Sequence, residues 1–394
     1  MKILGIETSC DETAAAVVAD GTKILSNVVA SSSDMHIKSG GIIPEVAARQ
    51  QVISIIPVIE EALKKGCGWD LRNRLGMSSK DEENSKLTPN SKLITHDTPP
   101  PIDSIAVTVG PGLIGSLLVG VETAKTLAYL WKKPIIPVNH LVAHIYANWL
   151  ENSEQWTLIS EQKNKSLHRT PYTAHQPQFP ALALVVSGGH TDLVLMKDHR
   201  QLIWIGGTRD DAAGEAFDKC ARLLGLPYPG GPAISAAAEK FQKPNSKFQM
   251  KMFPRPLMGE DNYDWSFSGL KTAVLRRVKE QESKRVKERI SIQQLAAEVQ
   301  EAIVDSLVEK SIRAIKKYKP KSFLLSGGVA ANKRLREKFL QRIKSEILQV
   351  FHVPPVNLCT DNAVSIASCA FYNYHPLDWR KIKADPALTI VGEI

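Results

Sequence analysis

Cysteine is scarce and poorly placed for cross-linking. Its five positions (Cys10, Cys67, Cys220, Cys359 and Cys369) are odd in number, widely scattered and free of any CxxC pair. This argues against a disulfide framework and against a cysteine-built zinc site, and it points to a reducing cytoplasm. A long hydrophobic run is also missing. The longest uncharged span, Ser104 to Val121, is broken by "GPG" and Gly115 and reads as strand, turn and helix start, not as a membrane span. Lys2 is followed at once by the strand-like "ILGIE", so no secretory leader is expected. No HExxH occurs anywhere, which counts against a zinc peptidase of that type.

What is present is a chain of 394 residues, 43% hydrophobic and 23% charged, with room for a large core split into two lobes. The net charge of +9 is unevenly spread. Residues 1–150 hold 14 Lys+Arg against 15 Asp+Glu, leaving 36 against 26 for the remainder. Much of the excess lies in "KTAVLRRVKEQESKRVKER" (271–289) and "NKRLREKFLQRIK" (332–344). A basic second half suits a polyanionic partner, nucleic acid first. Lys-rich helices are also ordinary solvated faces, and charge alone leaves both readings open.

Two pairs of segments share a shape. "KILGIETSCDETAAAVV" (2–18) and "LALVVSGGHTDLVLM" (182–196) each read as strand, tight polar turn and strand, with Thr13 matching Thr191. "IAVTVGPGLIGSLLVGVETAKTLAYL" (105–130) and "SFLLSGGVAANKRLREKFL" (322–340) each read as strand, Gly-rich turn and helix. The pattern predicts a duplicated α/β design with two lobes over a cleft, as in the actin, sugar-kinase and Hsp70-like fold. The lobe boundaries are placed at 1–138 plus 362–394 and at 139–361. Gly-rich turns that open helices are good anion sites, so the cleft is expected to hold a nucleotide. Residues 290–318 and 362–374 have the apolar spacing of packing helices. Residues 66–101 and 151–178 lack periodicity and are taken as exposed, mobile insertions.

"NHLVAHIYANWL" (139–150) puts His140 and His144 four positions apart, on one helical face. Such a pair can hold a metal ion or can be two polar residues of a half-buried helix. A metal would need a third ligand, and Asp361 in "LCTDNAVSIA" is the best candidate, although Asp before an apolar helix also reads as an N-cap.

The stretches "LGIETSCDETAAAVV", "GGIIPEVA", "GPGLIGSLLVG", "NHLVAH", "LVVSGGHT", "DDAAGEAFDKCARLLGLPYPGGP", "WSFSGLKT", "LSGGVAANKRLR" and "CTDNA" occur in the order seen in one family. The chain resembles the bacterial tRNA adenosine threonylcarbamoyltransferases, once described as O-sialoglycoprotein endopeptidases, over nearly its whole length outside the two insertions. The resemblance implies that His140, His144 and Asp361 hold one divalent metal ion, iron first and zinc as the alternative. It also implies that Val185, Val186, Ser187, Gly188 and Gly189 form the phosphate-side substrate loop. Asp218, Gly231 and Asn332 match positions that hold the adenosine part of the substrate. Asp11 and Glu12 match acidic residues implicated in activity, and Lys271 is a candidate for meeting phosphate or tRNA. Read locally, Asp218 is a solvated helix carboxylate and Asn332 a helix cap. Many relatives carry histidine where Asn139 and Gln51 stand, and neither is a ligand position by the family pattern.

The implied reaction moves a threonylcarbamoyl group from threonylcarbamoyl-AMP to N6 of the adenosine beside the anticodon in tRNAs reading ANN codons. The implied partners are tRNA, a degenerate paralogue and a P-loop ATPase, with no membrane. Two rivals remain at this level. A small-molecule kinase or ATPase of the same fold would have no need of the His/His/Asp set. A nucleotide-dependent scaffold without catalysis would show no transfer.

Overall fold

The computed structural model describes residues 1–36, 40–70, 99–151, 154–161, 164–170, 176–241, 251–282, 290–343 and 350–392. They form two compact units. One comprises Met1–Ser33, Ile43–Tyr146 and Asp361–Ile394, and the other Asp34–Ile42 and Ala147–Thr360.

The first unit is built on β1 (Lys2–Glu7), β2 (Glu12–Ala19), β3 (Lys23–Ser31), β4 (Ser104–Gly110) and β5 (Ile135–Asn139). β1, β2 and β3 form an antiparallel meander, and β4 and β5 add in parallel beyond β1, giving the order β3-β2-β1-β4-β5. β1 and β4 are apolar and almost wholly buried, as expected for strands covered on both faces. One face carries α1 (Pro44–Cys67) and α2 (Ile114–Trp131), whose Ile55, Ile59, Leu63 and Val121 share a core with Leu4, Ile6 and Val107. The opposite face carries the last α-helix, Ala363–Tyr372. A Cβ on Gly5 would stand 2.2 Å from the Ala363 carbonyl oxygen, so β1 admits only glycine where this helix crosses it.

The second unit repeats the plan. Its strands are β6 (Glu154–Glu161), β7 (Asn164–Thr170), β8 (Ala181–Val186), β9 (Thr191–Met196), β10 (Leu202–Gly207), β11 (Ser322–Ser326) and β12 (Val350–Val353), ordered β10-β9-β8-β11-β12-β6-β7. β8 to β10 are the meander, and β11 and β12 run parallel to β8. The duplication expected from the two strand–turn–strand segments is therefore present, and Thr13 and Thr191, each 1% exposed, lie at the starts of β2 and β9, as second and first residue.

Two expectations change. The boundary falls after Tyr146, not before Asn139, because α3 (His140–Tyr146) follows β5 directly and packs on the last α-helix. The 151–178 segment is not simply a loop. β6 and β7 form a hairpin that pairs antiparallel with the β12 edge, so backbone hydrogen bonding organises a stretch whose polar composition hides it. Most of the 66–101 insertion lies outside the described residues.

The longer helices of the second unit are α4 (Ala213–Leu223), α5 (Gly230–Glu239), α6 (Ser268–Glu282), α7 (Ile292–Tyr318) and α8 (Lys333–Ile343). α7 is a packing helix, as its spacing predicts, with Leu295, Val299 and Ile303 in the core with Phe323, Phe339 and Phe351. Its acids face the basic helix α8. Arg334 pairs with Glu301 at 2.8 Å, Lys338 with Glu301 and Asp305, and Arg342 with Glu309. Both rows advance by four residues, one helical turn, so much of the charge on α8 is spent inside the protein. The 283–289 part of the other basic stretch lies outside the described residues; within α6, Arg276 and Lys279 are exposed.

Candidate active site

β5 ends at Asn139, whose Oδ1 accepts from the N–H groups of Leu141 (3.0 Å) and Val142 (3.3 Å) while its Nδ2 donates to the Thr389 carbonyl (2.8 Å). This cap fixes where α3 begins. His140 is therefore its first residue and His144 lies one turn on, with ring centroids 4.5 Å apart and Nε2 atoms 3.1 Å apart. The last α-helix is capped by Asn362, whose Oδ1 accepts from the Ser365 N–H at 3.1 Å, so the cap reading of Asp361 does not hold. Asp361 Oδ1 lies 3.6 Å from His140 Nε2 and 3.3 Å from His144 Nε2.

Three donor atoms spaced 3.1, 3.3 and 3.6 Å apart are spaced like ligands about 2.1 Å from a shared ion. Two imidazoles and one carboxylate suit iron or zinc. The residues present therefore fit a divalent metal, and among the described residues this is the set of His, Cys, Asp and Glu that converges in this way.

Behind the histidines lies a carboxylate that the sequence reading passes over. Glu7 is 1% exposed, and its Oε2 lies 3.2 Å from His140 Nδ1 and accepts from the Thr108 hydroxyl; its Oε1 accepts from the Ser9 N–H at 2.5 Å. Burial alone would lower the pKa of His140, but the charges of Glu7 and Asp361 outweigh it and push it up to about 9. Burial would raise Glu7, and the His140 charge holds it below its usual range instead. The one sequence signal for Glu7 is a charge closing the apolar run "ILGI".

Asp11 closes the turn from β1 to β2, and Glu12 opens β2. The carbonyls here are pinned from several sides. Gln51 Nε2 donates to Cys10 O and Glu12 O (3.0 Å each), the Ser116 hydroxyl to Cys10 O (3.0 Å), and the Ser32 hydroxyl to Asp11 O (2.8 Å). Glu12 is pushed up to about 9 by burial first and then by its bond to Asp11 and the charges of Asp11 and Asp361. Burial and the neighbouring acids thus favour the protonated form of this carboxyl.

The other sequence-derived residues lie in the second unit. Val185 and Val186 are buried in β8, so their side chains belong to the core. In the turn that follows, the carbonyls of Ser187 and Gly188 accept from the N–H groups of Gly214 and Glu215 at the start of α4, both at 3.1 Å. The helix N-terminus is thus occupied by the loop itself. Added Cβ atoms on Gly188 and Gly189 would meet nothing within 4 Å, so both glycines face open space. Gly327 (φ 88°) packs so tightly on the end of β8 that a Cβ would stand 2.4 Å from the Val186 carbonyl.

Asp218 Oδ1 accepts from the Gly230 N–H at 2.7 Å, joining α4 to the start of α5, and burial raises its pKa against that bond and the Arg222 charge. Gly231, next along, faces open space. Asn332 caps α8 through the Leu335 N–H (2.9 Å), as its local reading expects, and its Nδ2 donates to Ser235 and Gln300 at 3.0 Å each. Asp218, Gly231 and Asn332 therefore gather around α5.

Comparison with known proteins adds independent findings. A family model described as tRNA N6-adenosine threonylcarbamoyltransferase (TsaD) matches residues 23–71, 95–165 and 164–368. A protein of that name from Thermomicrobium roseum is 46% identical over 409 aligned positions, covering 99% of this chain and 95% of the relative. Another of that name, from Dehalococcoides mccartyi, is 45% identical over 374 positions, covering 95% and 94%. Among solved structures, full-length HypF in its phosphate- and nucleotide-bound form aligns with a TM-score of 0.52 at 12% identity, over 95% of this chain and 55% of that one. That likeness concerns the fold, and it agrees with the duplicated α/β plan.

Proposed function

The chain belongs to the tRNA N6-adenosine threonylcarbamoyltransferase family, whose members are acyltransferases, and from that premise we propose that it transfers threonylcarbamoyl from threonylcarbamoyl-AMP to tRNAs reading ANN codons. N6 of the adenosine beside the anticodon attacks the carbamoyl carbon. The bond from that carbon to the phosphate oxygen breaks, AMP leaves with the electron pair, and N6 gives up a proton.

His140, His144 and Asp361 would hold a divalent ion, iron first and zinc as the alternative. Such an ion supplies Lewis acidity for a carbonyl and a template for the donor. The observation that carries the reading is the convergence of these three side chains within coordinating distance of one another. Gly188 and Gly189 would offer N–H groups to the donor phosphate, where charge develops as AMP departs. The open space where their side chains would stand leaves room for that approach. Asp218, Gly231 and Asn332 would frame the adenosine. Asp11 would take up the proton leaving N6.

A phosphoryl-transfer reading has less to support it, since it leaves the two histidines without a role. Among the described residues no helix is long and apolar enough to cross a membrane. The reading extends to a cytoplasmic location and to two small partners, a degenerate paralogue and a P-loop ATPase. It is tested by incubating the protein with threonylcarbamoyl-AMP and tRNA transcripts, with and without those partners. Modification of ANN-reading tRNAs alone is expected; ATP turnover on a small acceptor without tRNA modification would contradict it.

A further inference from the structure

The chemistry above leaves one buried carboxylate unused. Glu7 closes β1 beside Thr108 of β4, the register pairing Ile6 with Val107. Side chains alternate along a strand, so Glu7 shares the face of Gly5, which the last α-helix covers, and not the face under α1 and α2. A charge in such a place is costly unless every oxygen is engaged. Here both are: Oε1 accepts from the Ser9 N–H, and Oε2 accepts from the Thr108 hydroxyl and faces His140 Nδ1 at 3.2 Å.

We propose that Glu7 is a positioning residue for His140, keeping hydrogen on Nδ1 so that Nε2 is the nitrogen presented to an ion shared with His144 and Asp361. This rests on the reading of His140, His144 and Asp361 as metal ligands. An ionised carboxylate only accepts, so an imidazole nitrogen facing it must carry hydrogen, and the other nitrogen is then the one able to coordinate. The Ser9 hydroxyl, 3.3 Å from the same Nδ1, can donate or accept and does not select a tautomer. In Glu7→Gln the single amide oxygen is claimed by the Ser9 N–H, which turns the NH2 toward His140. That reverses the hydrogen bond and puts the imidazole proton on Nε2.

The test measures Zn²⁺ affinity by competition with a chromophoric chelator for the wild type, Glu7→Gln, Thr108→Val and His140→Ala, together with ¹⁵N shifts of the histidine rings in the zinc-loaded protein. Glu7→Gln is expected to bind zinc roughly ten- to a hundredfold more weakly while the metal-free protein keeps its fold. Thr108→Val, which spares the Glu7–His140 contact, is expected to bind as the wild type does. In the zinc-loaded wild type His140 should keep hydrogen on Nδ1. Should Glu7→Gln not fold, Glu7→Asp, which withdraws the carboxylate by one methylene, is expected to show the loss. Equal zinc affinity in the wild type and a folded Glu7 variant, or coordination through His140 Nδ1, would overturn the proposal. A wild type that binds zinc no better than His140→Ala would instead remove the metal reading, and this inference with it.

Discussion

His144 Nε2 and Asp361 Oδ1 lie 3.3 Å apart, although one residue sits on the helix after β5 and the other just before the last α-helix. The contact exists because those two helices pack together within a single unit. Breaking it should cost chemistry more than fold. Asp361→Asn and His144→Ala are expected to lose the bound metal and to lower transfer by about a hundredfold or more, with circular dichroism unchanged. Full activity without metal in either variant would count against the site.

Gly189 and Gly214 should respond differently to the same substitution. A side chain at Gly189 meets no protein atom within 4 Å, whereas a Cβ at Gly214 would stand 2.5 Å from the Ser187 carbonyl oxygen. Gly189→Val should keep its melting temperature and lose binding of the AMP donor. Gly214→Val should lose about 1–3 kcal/mol of stability because it pushes the loop from behind. Isothermal titration and thermal melts separate the two effects.

The two basic helices should separate as well. Lys338 is committed to Glu301 and Asp305, and Glu301 is held down at about 2, burial being outweighed by its bonds to Arg334 and Lys338. Lys338→Ala should destabilise the protein by about 1–2 kcal/mol without changing tRNA affinity. Arg276→Ala and Lys279→Ala on α6 should weaken tRNA binding, each reducing the slope of log affinity against log salt by about one. Filter binding across a salt series distinguishes them.

In the metal-free protein, stability should fall as pH rises. His140 stands at about 9 in the fold against 6.5 ordinarily, so its contribution is complete below 6.5 and is lost as pH passes through 9. Glu12, at about 9 against 4.5, also binds a proton in the fold that the unfolded chain has released, and it works in the same direction. Glu7, lowered from 4.5, acts oppositely and only in acid. The melting temperature should drop between pH 6.5 and 9, and less steeply in His140→Gln; a rise over that window would contradict the assignment.

Much of this was legible in the sequence where the relevant physics is local. Strand–turn–strand segments show their apolar periodicity, and His140 and His144 declare a shared face through their spacing. Asp361 was nameable as a candidate, but its nearness to the histidines depends on helix packing that no spacing encodes. Glu7 is hard to single out because a lone acid after "ILGI" reads as a strand end, and its role comes from Thr108 and His140 on other elements. The β6–β7 hairpin was hidden because an edge supplies its hydrogen bonds, not an apolar stripe. For the charge on α8 the sequence leaves a nucleic-acid surface and a solvated face equally open, because the acids of α7 that pair with it lie about thirty residues away along the chain.

Anomalous diffraction from crystals grown with Zn²⁺ or, without oxygen, Fe²⁺ tests the central claim most directly. The account expects one strong peak coordinated by His140 Nε2, His144 Nε2 and an Asp361 oxygen. A fully loaded ion elsewhere, or one that Asp361 does not touch, would contradict it.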